Sequence, residues 1–342
     1  MRRPLKQSSL FFRFAFLLLL FTIPSSSQEP ERHLLTMIFG GDVTFAAAFE
    51  NDIDDSTSFP FRRSEWLRDA DITMVNLENP ITERGTRVRK EYNFRCNPKY
   101  ASLLKDAGID IVTLANNHIY DYGNDGVFDT IDLLDSLDIK HVGAGKNLSS
   151  ARTPVIIHAQ GKRIAFLAYL DSIHTKKLRF VTDSIAGPVN VNLTSIENDI
   201  QSLRDSADFV VINLHWGVEK SREPTDRQIS IAHTLIDFGA DLIIGHHPHV
   251  LQAIEKYHGK IIAYSLGNFV FGGIRRNTYT TAVLKVTLDS SADEAASAEL
   301  LPVHVRRWQP LLLTGSRANA LMKYVRKRSL RFPESIFKKR KR

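Results

Sequence analysis

Short apolar runs rich in β-branched residues alternate with helix-like segments along most of the 342-residue chain. This alternation is typical of an α/β domain. Proline near the start and glycine at the end predict helices at 97–108 and 224–239. Beyond residue 276 the pattern becomes strand-like at 280–288 and 299–305, with an acidic loop at 289–297 between them. We therefore predict an α/β fold with extra C-terminal strands.

Six of the apolar runs are followed, at once or after one or two residues, by carboxylate, amide or imidazole side chains. In α/β sheets, ligands bind outside the carboxyl ends of the strands, so these side chains are expected to converge there. The runs and the polar residues that follow them are Leu34–Phe39 before Asp42, Ile72–Leu77 before Glu78 and Asn79, Ile109–Ala115 before Asn116, Asn117 and His118, Phe209–Leu214 before His215, Leu242–Ile244 before His246, His247 and His249, and Ile261–Ser265 before Asn268.

The donor types at these strand ends favour a site for one or two divalent ions. Imidazole, carboxylate and amide oxygen without thiolate suit Mn, Fe or Zn. Two ions about 3.5–4 Å apart, bridged by a carboxylate, hold a hydroxide and clamp a phosphoryl group on both sides. His118 is then free to protonate a leaving oxygen or to bind the phosphoryl charge, and is the predicted catalytic residue. The predicted metal ligands are Asp42, Glu78 as the bridge, Asn117, His215, His247 and His249.

Residues beside these ligands are predicted to contact the substrate. His246 completes a cluster of three imidazoles within four residues, which has little structural reason, and we give it a supporting role. Trp216 is placed to wall a pocket, although buried aromatic residues more often belong to the core. Asn116 suits either the site or a structural loop. The remaining predicted substrate-binding amides are Asn79 and Asn268.

A basic segment follows Glu78 and is expected to overhang the site. Its cationic side chains can hold a polyanion through charge-assisted hydrogen bonds. A solvated loop is the alternative interpretation. The predicted substrate-binding residues of this segment are Arg87, Arg89 and Arg95, and its other basic residues are Arg84 and Lys90.

At these residues the chain resembles the capsule synthesis protein CapA family, which is associated with poly-gamma-glutamate capsule assembly. The resemblance covers roughly residues 36–272 and is carried, in order, by GGDVTF, NLENPIT, LANNHIYDYG, NLHWGVE, GHHPHVLQ and YSLGNFVF. That family is similar to calcineurin-like metallophosphoesterases. The resemblance implies a metallophosphoesterase-like fold of layered sheets flanked by helices, over about residues 33–310.

The resemblance also implies roles for individual residues. Asp42 matches the aspartate of the first metallophosphoesterase motif, and Glu78 matches the bridging acid. Asn117 and His118 match the Asn-His pair. His215 corresponds to the lone histidine of the fourth motif, and the final H-x-H corresponds to residues 247–249.

Two departures from the metallophosphoesterase pattern leave two functions open. The D-x-H of the first motif is absent around Asp42, and the bridging acid is Glu78 rather than an aspartate. One of the two metal positions is therefore expected to be weak or empty. The first hypothesis is a metal-dependent enzyme acting on a phosphoryl or amide bond of a capsule-type polymer. The second is a module that binds or helps to export an acidic polymer without cleaving it.

The net charge of +7 belongs to the two ends of the chain. Residues 1–27 contain four basic and no acidic side chains, and residues 321–342 contain ten basic and one acidic, which leaves about −6 between them. This distribution argues against a nucleic-acid partner. The basic tail at 311–342 either lies against an anionic membrane or polymer or is a solvated end.

The N-terminus predicts an extracytoplasmic protein. A basic start, an apolar run at residues 10–23 and three serines at 25–27 are typical of a secretory signal peptide, with an uncleaved anchor as the alternative. Either form places the folded part outside the cytoplasm, where membrane proteins of a polymer synthesis complex are candidate partners. Cys96 is the single cysteine, so no intramolecular disulfide can form.

Overall fold

The fold was analysed in a computed structural model of the chain. The N-terminal segment predicted to be a signal peptide or anchor lies outside the described residues, as do the last five residues of the basic tail. Within the described part of the chain, no helix combines the length and the apolar content needed to cross a membrane. The structure describes residues 34–46, 49, 60–171, 178–271, 278–289 and 295–337.

Strands outnumber helices in these ranges. The strands are β1 (Leu34–Thr44), β2 (Ile72–Leu77), β3 (Ile111–Thr113), β4 (Lys140–Val142), β5 (Ala144–Gly145), β6 (Val155–Ala159), β7 (Lys162–Leu170), β8 (Gly187–Pro188), β9 (Phe209–His215), β10 (Leu242–His246), β11 (Ile254–Tyr257), β12 (Lys260–Ala263), β13 (Asn268–Phe271), β14 (Thr278–Asp289), β15 (Ala295–Arg306) and β16 (Gln309–Leu312). The helices are α1 (Ser102–Asp106), α2 (Gly123–Ser136), α3 (Leu148–Arg152), α4 (Leu193–Gln201), α5 (Asp226–Phe238) and α6 (Gly315–Ser329), with 3-10 turns at Glu65–Asp69 and Pro98–Tyr100.

Most strands belong to two mixed sheets. The first has the order β16-β15-β14-β1-β2-β3-β4, with β13 also paired to β1. Its β1, β2, β3, β4 and β13 are parallel, whereas β14 to β16 extend it antiparallel. The second has the order β11-β12-β10-β9-β7-β6, with a parallel centre of β7, β9, β10 and β12. In each sheet, the carboxyl ends of the parallel strands therefore lie at the same edge of that sheet.

Three apolar clusters show how the layers pack. The middle cluster joins the inner faces of both sheets, because alternate residues of β1, β2, β7 and β9 all contribute to it. A second cluster packs the outer face of the first sheet against α1 and α2. The third packs the outer face of the second sheet against α4 and α5. This arrangement confirms the predicted α/β fold of layered sheets flanked by helices.

The predicted local elements are largely found. Helix α5 begins after a capping box formed by Thr225 and Gln228, and it ends at Gly239, whose φ of 115° suits glycine. The helix predicted at 97–108 is divided, since a 3-10 turn precedes the short α1. The predicted C-terminal strands are confirmed by the antiparallel pairing of β14 with β15. Residues 290–294 of the predicted loop lie outside the described ranges.

The predicted basic tail contributes to the packing as far as it is described. Helix α6 buries Val325 in the cluster between the sheets. Its Ser329 hydroxyl accepts a hydrogen bond from the backbone N–H of Ile254 at 2.9 Å. Phe332 then stacks on Tyr264 with ring centroids 5.5 Å apart. Residues 315–332 therefore pack on the sheets although their composition is strongly basic.

Candidate metal centre

The strand ends of both sheets meet at the predicted residues. In the first sheet Asp42 is in register with Asn76 on β2 and with Asn268 on β13. In the second sheet His215 on β9 is in register with His246 on β10. Two groups of donor atoms, each lying within 4.8 Å of one another, share Glu78: Asp42, Glu78 and His215 form one, and Glu78, His247 and His249 form the other.

Hydrogen bonds fix the carboxylate side of the site. The amide nitrogen of the buried Asn76 donates to Asp42 Oδ1 at 2.9 Å and to Glu78 Oε2 at 3.2 Å. Its amide oxygen accepts from Asn116 Nδ2 at 3.1 Å. Asn116 Oδ1 in turn accepts from the backbone N–H groups of His118 and Ile119. Asn76 therefore orients both acids, although the sequence analysis did not select it.

Backbone geometry positions the imidazole side. His247 and His249 follow β10 with positive φ angles of 93° and 57°, a region that costs energy for residues other than glycine. His215 Nε2 lies 2.9 Å from Asn117 Oδ1, and its ring centroid is 4.7 Å from that of His247. His249 Nδ1 donates to Asn268 Oδ1 at 2.8 Å. A strained loop thus holds two imidazoles beside the acids.

A close backbone approach joins the two sides. The N–H of Asp42 donates to Gly267 O at 2.9 Å. A Cβ on Gly41 would lie only 1.8 Å from the same carbonyl oxygen. Glycine at position 41 is therefore required for β1 to bring Asp42 against the loop that precedes Asn268.

Burial and mutual charge set the protonation of the site. Burial raises the pKa of Glu78 well above its usual value, and the Asp42 charge adds to this effect. Burial also opposes ionisation of Asp42, but the neighbouring His246 and His249 imidazoles outweigh it and hold the pKa of Asp42 well below the usual range. Burial lowers the pKa of His215, which favours the neutral imidazole that binds metals.

The buried acids Glu78 and Asp42 strongly favour the protonated, positively charged form of His249. Burial acts to lower the pKa of His249, but the charge of Glu78 and the hydrogen bond to Asp42 outweigh it and raise the pKa to about 10. A proton on this ring therefore balances the two buried carboxylates. A bound cation can supply the same charge.

His118 belongs to a second buried network beside the metal ligands. Its Nδ1 lies 2.8 Å from Asp121 Oδ2, and its ring stacks on Phe94 with centroids 4.0 Å apart. Lys90 from the basic segment forms an ion pair with Asp121 and donates to Asn117 O at 2.6 Å. Burial lowers the pKa of His118 to about 4, so the ring is neutral near pH 7.

The other predicted substrate-binding residues lie in several environments. Asn79 Oδ1 accepts from the N–H of Phe45 at 3.0 Å, which ties two loops together. Trp216 is buried in the outer cluster of the second sheet and donates to Tyr264 O at 3.0 Å. His246 is buried with its Nδ1 3.3 Å from Asp42 Oδ1. Asn116 and Asn268 orient their neighbours as described above.

The arginines of the basic segment are exposed. Arg87 Nε donates to Asn93 Oδ1 at 2.8 Å, and the Arg95 guanidinium carbon lies 4.6 Å from the centroid of the Tyr122 ring. Arg84 forms an ion pair with Asp129. Lys90 is therefore the member of the segment that reaches into the site.

The donor set fits a divalent cation. Glu78 Oε1 is buried and has no hydrogen-bond partner among the described residues. It lies 3.8 Å from His215 Nε2 and 3.7 Å from His249 Nε2. Buried polar atoms are rarely left unpaired, and a cation between these atoms gives the oxygen a partner. Carboxylates and imidazoles without thiolate suit first-row divalent ions.

Comparison with known proteins agrees with this geometry. The family model described as "Bacterial capsule synthesis protein PGA_cap" matches residues 36–273, which contain every predicted metal ligand. The chain belongs to this capsule synthesis family. The family membership predicted from the sequence motifs is therefore confirmed.

Two bacterial relatives of this chain have names that refer to capsule or polymer biosynthesis. The capsule biosynthesis protein CapA of Bacillus anthracis is 31% identical over 308 residues, which cover 86% of this chain and 72% of the relative. The PGA biosynthesis protein CapA of Bacillus subtilis (strain 168) is 33% identical over 247 residues, which cover 71% of this chain and 64% of the relative. These similarities support a role in capsule-polymer biosynthesis.

Two solved structures share the fold of this chain. A hypothetical protein from Thermus thermophilus aligns with a TM-score of 0.55 and 16% identity, covering 79% of this chain and 100% of the other. A novel phosphatase from Mycoplasma pneumoniae aligns with a TM-score of 0.54 and 14% identity, covering 81% and 96%. At these identities the likeness establishes the fold alone.

Proposed function

We propose that this protein is an extracytoplasmic, metal-dependent hydrolase of capsule-polymer assembly, which acts on a phosphoryl or amide bond of an acidic polymer such as poly-gamma-glutamate. The observation that carries the proposal is the shared position of Glu78 between two groups of metal donors. A carboxylate that serves two donor groups is the arrangement needed for a two-ion centre. The N-terminal 27 residues support export as a cleaved signal or as an anchor.

The donor groups assign residues to the two proposed ions. Asp42, Glu78 and His215 would hold one, and Glu78, His247 and His249 would hold the other. Bound divalent ions lower the pKa of water and stabilise the charge that develops on the attacked group. We propose Mn, Fe or Zn, because these ions accept mixed oxygen and nitrogen ligands.

The chain itself supplies a hydrogen-bond acceptor beside this centre. Because His118 Nδ1 faces Asp121 Oδ2, we place the ring proton on Nδ1, which leaves Nε2 as an acceptor. The low pKa of His118 makes the ring a poor proton donor near pH 7. His118 is therefore better suited to accept a hydrogen bond from the nucleophile side than to protonate a leaving oxygen, the role expected from the sequence.

An acidic polymer suits the surroundings of the centre. A cavity of about 590 Å³ lies beside His249 and is bordered by Arg222 and by Arg317 of α6. Glu223, the acidic residue that follows Arg222 in the chain, is already paired with Arg328 at 3.4 Å. The cavity border therefore keeps a positive charge that attracts carboxylates or phosphates.

The metal-dependent chemistry is tested with the full chain purified in detergent. The wild type should retain one or two equivalents of transition metal after dialysis, measured by elemental mass spectrometry. It should also shorten poly-gamma-glutamate or hydrolyse an aryl phosphate, and His118→Ala should abolish turnover while the metal content stays unchanged. His141→Ala, at a histidine on β4, is the matched control. A wild type that holds no metal would contradict the enzyme proposal.

The cavity gives a second test, which measures polymer binding and distinguishes the cavity charge from the overall charge. Arg317→Glu should weaken the binding of poly-gamma-glutamate by about 10-fold at low salt, with a smaller loss at high salt. Lys327→Glu, which makes the same charge change elsewhere on α6, should bind like the wild type. Equal losses in the two variants would attribute the effect to overall charge and remove the cavity from the proposal.

A non-catalytic binding or export module is the second candidate function. The observation that favours it is the exposed basic segment after Glu78, in which Arg87, Arg89 and Arg95 face solvent and can bind an acidic polymer. Under this proposal the metal centre only organises the site. Tight, salt-sensitive polymer binding without turnover in the metal-loaded protein would support the module over the hydrolase.

A further inference from the structure

His246 has an environment that the polypeptide alone does not satisfy. Its side chain ends β10 and is 1% exposed. Neither ring nitrogen has a hydrogen-bond partner among the described residues. Buried polar atoms in native proteins are nearly always paired, so we expect this ring to have a partner other than the described residues.

The nearest charged atom indicates the nature of that partner. His246 Nδ1 lies 3.3 Å from Asp42 Oδ1. Two donor atoms bound about 2.0–2.2 Å from one ion, at tetrahedral or octahedral angles, are separated by about 2.8–3.6 Å. The observed separation matches one edge of such a coordination shell.

The first motif supplies no imidazole of its own. The residue two positions after Asp42 is Thr44, where the metallophosphoesterase pattern has a histidine. The Thr44 hydroxyl is engaged locally, because Oγ1 accepts a hydrogen bond from the N–H of Ala46 at 3.1 Å. The Asp42 side of the centre is therefore short of one nitrogen ligand within β1.

The second sheet delivers an imidazole to the same place. His246 is in register with His215 on the neighbouring strand, so two adjacent strand ends of the second sheet each direct a histidine to the site. We propose that His246 is a metal ligand which, with Asp42, binds one ion and replaces the histidine missing from the first motif. This inference rests on the proposed metal centre and assigns one further residue to it.

Two substitutions at position 246 test the inference in the full chain. His246→Leu introduces an apolar side chain of similar size and removes both ring nitrogens. His246→Asp supplies an oxygen ligand in their place. Manganese binding is measured by titration calorimetry and by elemental analysis after dialysis. We expect two equivalents in the wild type, one in His246→Leu, and two in His246→Asp, with a loss of at least about 100-fold for the affected ion in the Leu variant. That loss exceeds the roughly 10–100-fold typical of a residue outside the first coordination shell.

A histidine elsewhere provides the control. His304 on β15 also has a buried, unpaired Nδ1, so His304→Leu tests whether any such histidine affects metal content. It should bind two equivalents. Circular dichroism first shows whether each variant folds. If His246→Leu does not fold, the visible spectrum of cobalt-loaded His246→Asp decides, because replacing a nitrogen ligand by oxygen shifts the absorption bands, and an unchanged spectrum would overturn the inference.

The outcomes separate this inference from the proposed function. Two tightly bound equivalents in both the wild type and His246→Leu would overturn the role of His246 and leave the metal centre intact. A wild type without bound metal would instead remove the centre itself. Unchanged metal content with an altered KM would reassign His246 to the substrate and also overturn the inference.

Discussion

The two sheets contribute to the site in different ways. The first sheet provides acids that are fixed by hydrogen bonds, with Asn76 donating to both Asp42 and Glu78. The second sheet provides imidazoles whose positions depend on the backbone, since His247 and His249 occupy positive φ values. One side is therefore ordered by amide side chains, and the other by a strained loop after β10.

The difference has an energetic meaning. Hydrogen bonds to a buried carboxylate stabilise the folded protein before any ion binds. Positive φ angles at His247 and His249 cost stability, and such strain persists where the surrounding structure and function require it. The acid side should therefore be important for stability and metal binding alike, whereas the imidazole side should favour metal binding at the expense of stability.

The largest expected change in the free energy of unfolding tests the acid side. Asn76→Leu removes the donor to both carboxylates and one of the two acceptors of Asn116 Nδ2, which keeps its hydrogen bond to Leu77 O. The free energy of unfolding should fall by about 1–3 kcal/mol in urea denaturation of the metal-free protein. Manganese affinity should fall by about 10–100-fold, because Asn76 orients the ligands. Asn198→Leu at an exposed position of α4 is the control, and equal stability of the two variants would contradict the assigned role.

The strand ends show how much of the site the sequence could predict. A polar residue at or just beyond the end of an apolar run marks the end of a strand, which is why Asp42, Glu78 and His215 could be recognised. Asn76 gave no such signal, because it lies inside β2 with Leu77 after it. Its recognition required the register of β1 with β2, which only the three-dimensional pairing supplies. A lone amide in an otherwise apolar, fully buried strand is the sequence signal that could have indicated it.

Helix α6 shows a different limit of sequence reasoning. Its composition predicts a basic end that either lies against an anionic membrane or polymer or is solvated, yet Val325 packs between the sheets. The basic side chains do not prevent this, because the Arg328 guanidinium carbon lies 3.6 Å from the centroid of the Tyr324 ring and its charge faces outwards to Glu223. The net charge of a segment does not indicate which of its side chains face the protein and which face solvent. It therefore could not reveal that one face of this basic helix is buried.

The second prediction tests the strain on the imidazole side. His247→Gly and His247→Ala both remove the imidazole, so both should lose manganese affinity to the same extent. Because φ is 93° at this position, glycine should tolerate the conformation better than alanine. The glycine variant is therefore expected to be more stable than the alanine variant by about 1 kcal/mol in urea denaturation without metal. Equal unfolding free energies would show that the loop relaxes and holds no strain.

The smallest expected effect concerns Asn268, the amide that orients His249 on the imidazole side. Asn268→Ala removes the acceptor of His249 Nδ1, but Asp42 Oδ2 remains 3.1 Å from the same nitrogen. Manganese affinity should therefore fall by only about 10-fold, the lower end for a residue that orients a ligand. Asn268→Asp should retain at least wild-type affinity, because a carboxylate accepts the same hydrogen bond and makes the imidazole a stronger ligand. If both variants lose affinity as strongly as Asn76→Leu, the imidazole side depends on side-chain hydrogen bonds as much as the acid side does, and the contrast between the two sheets fails.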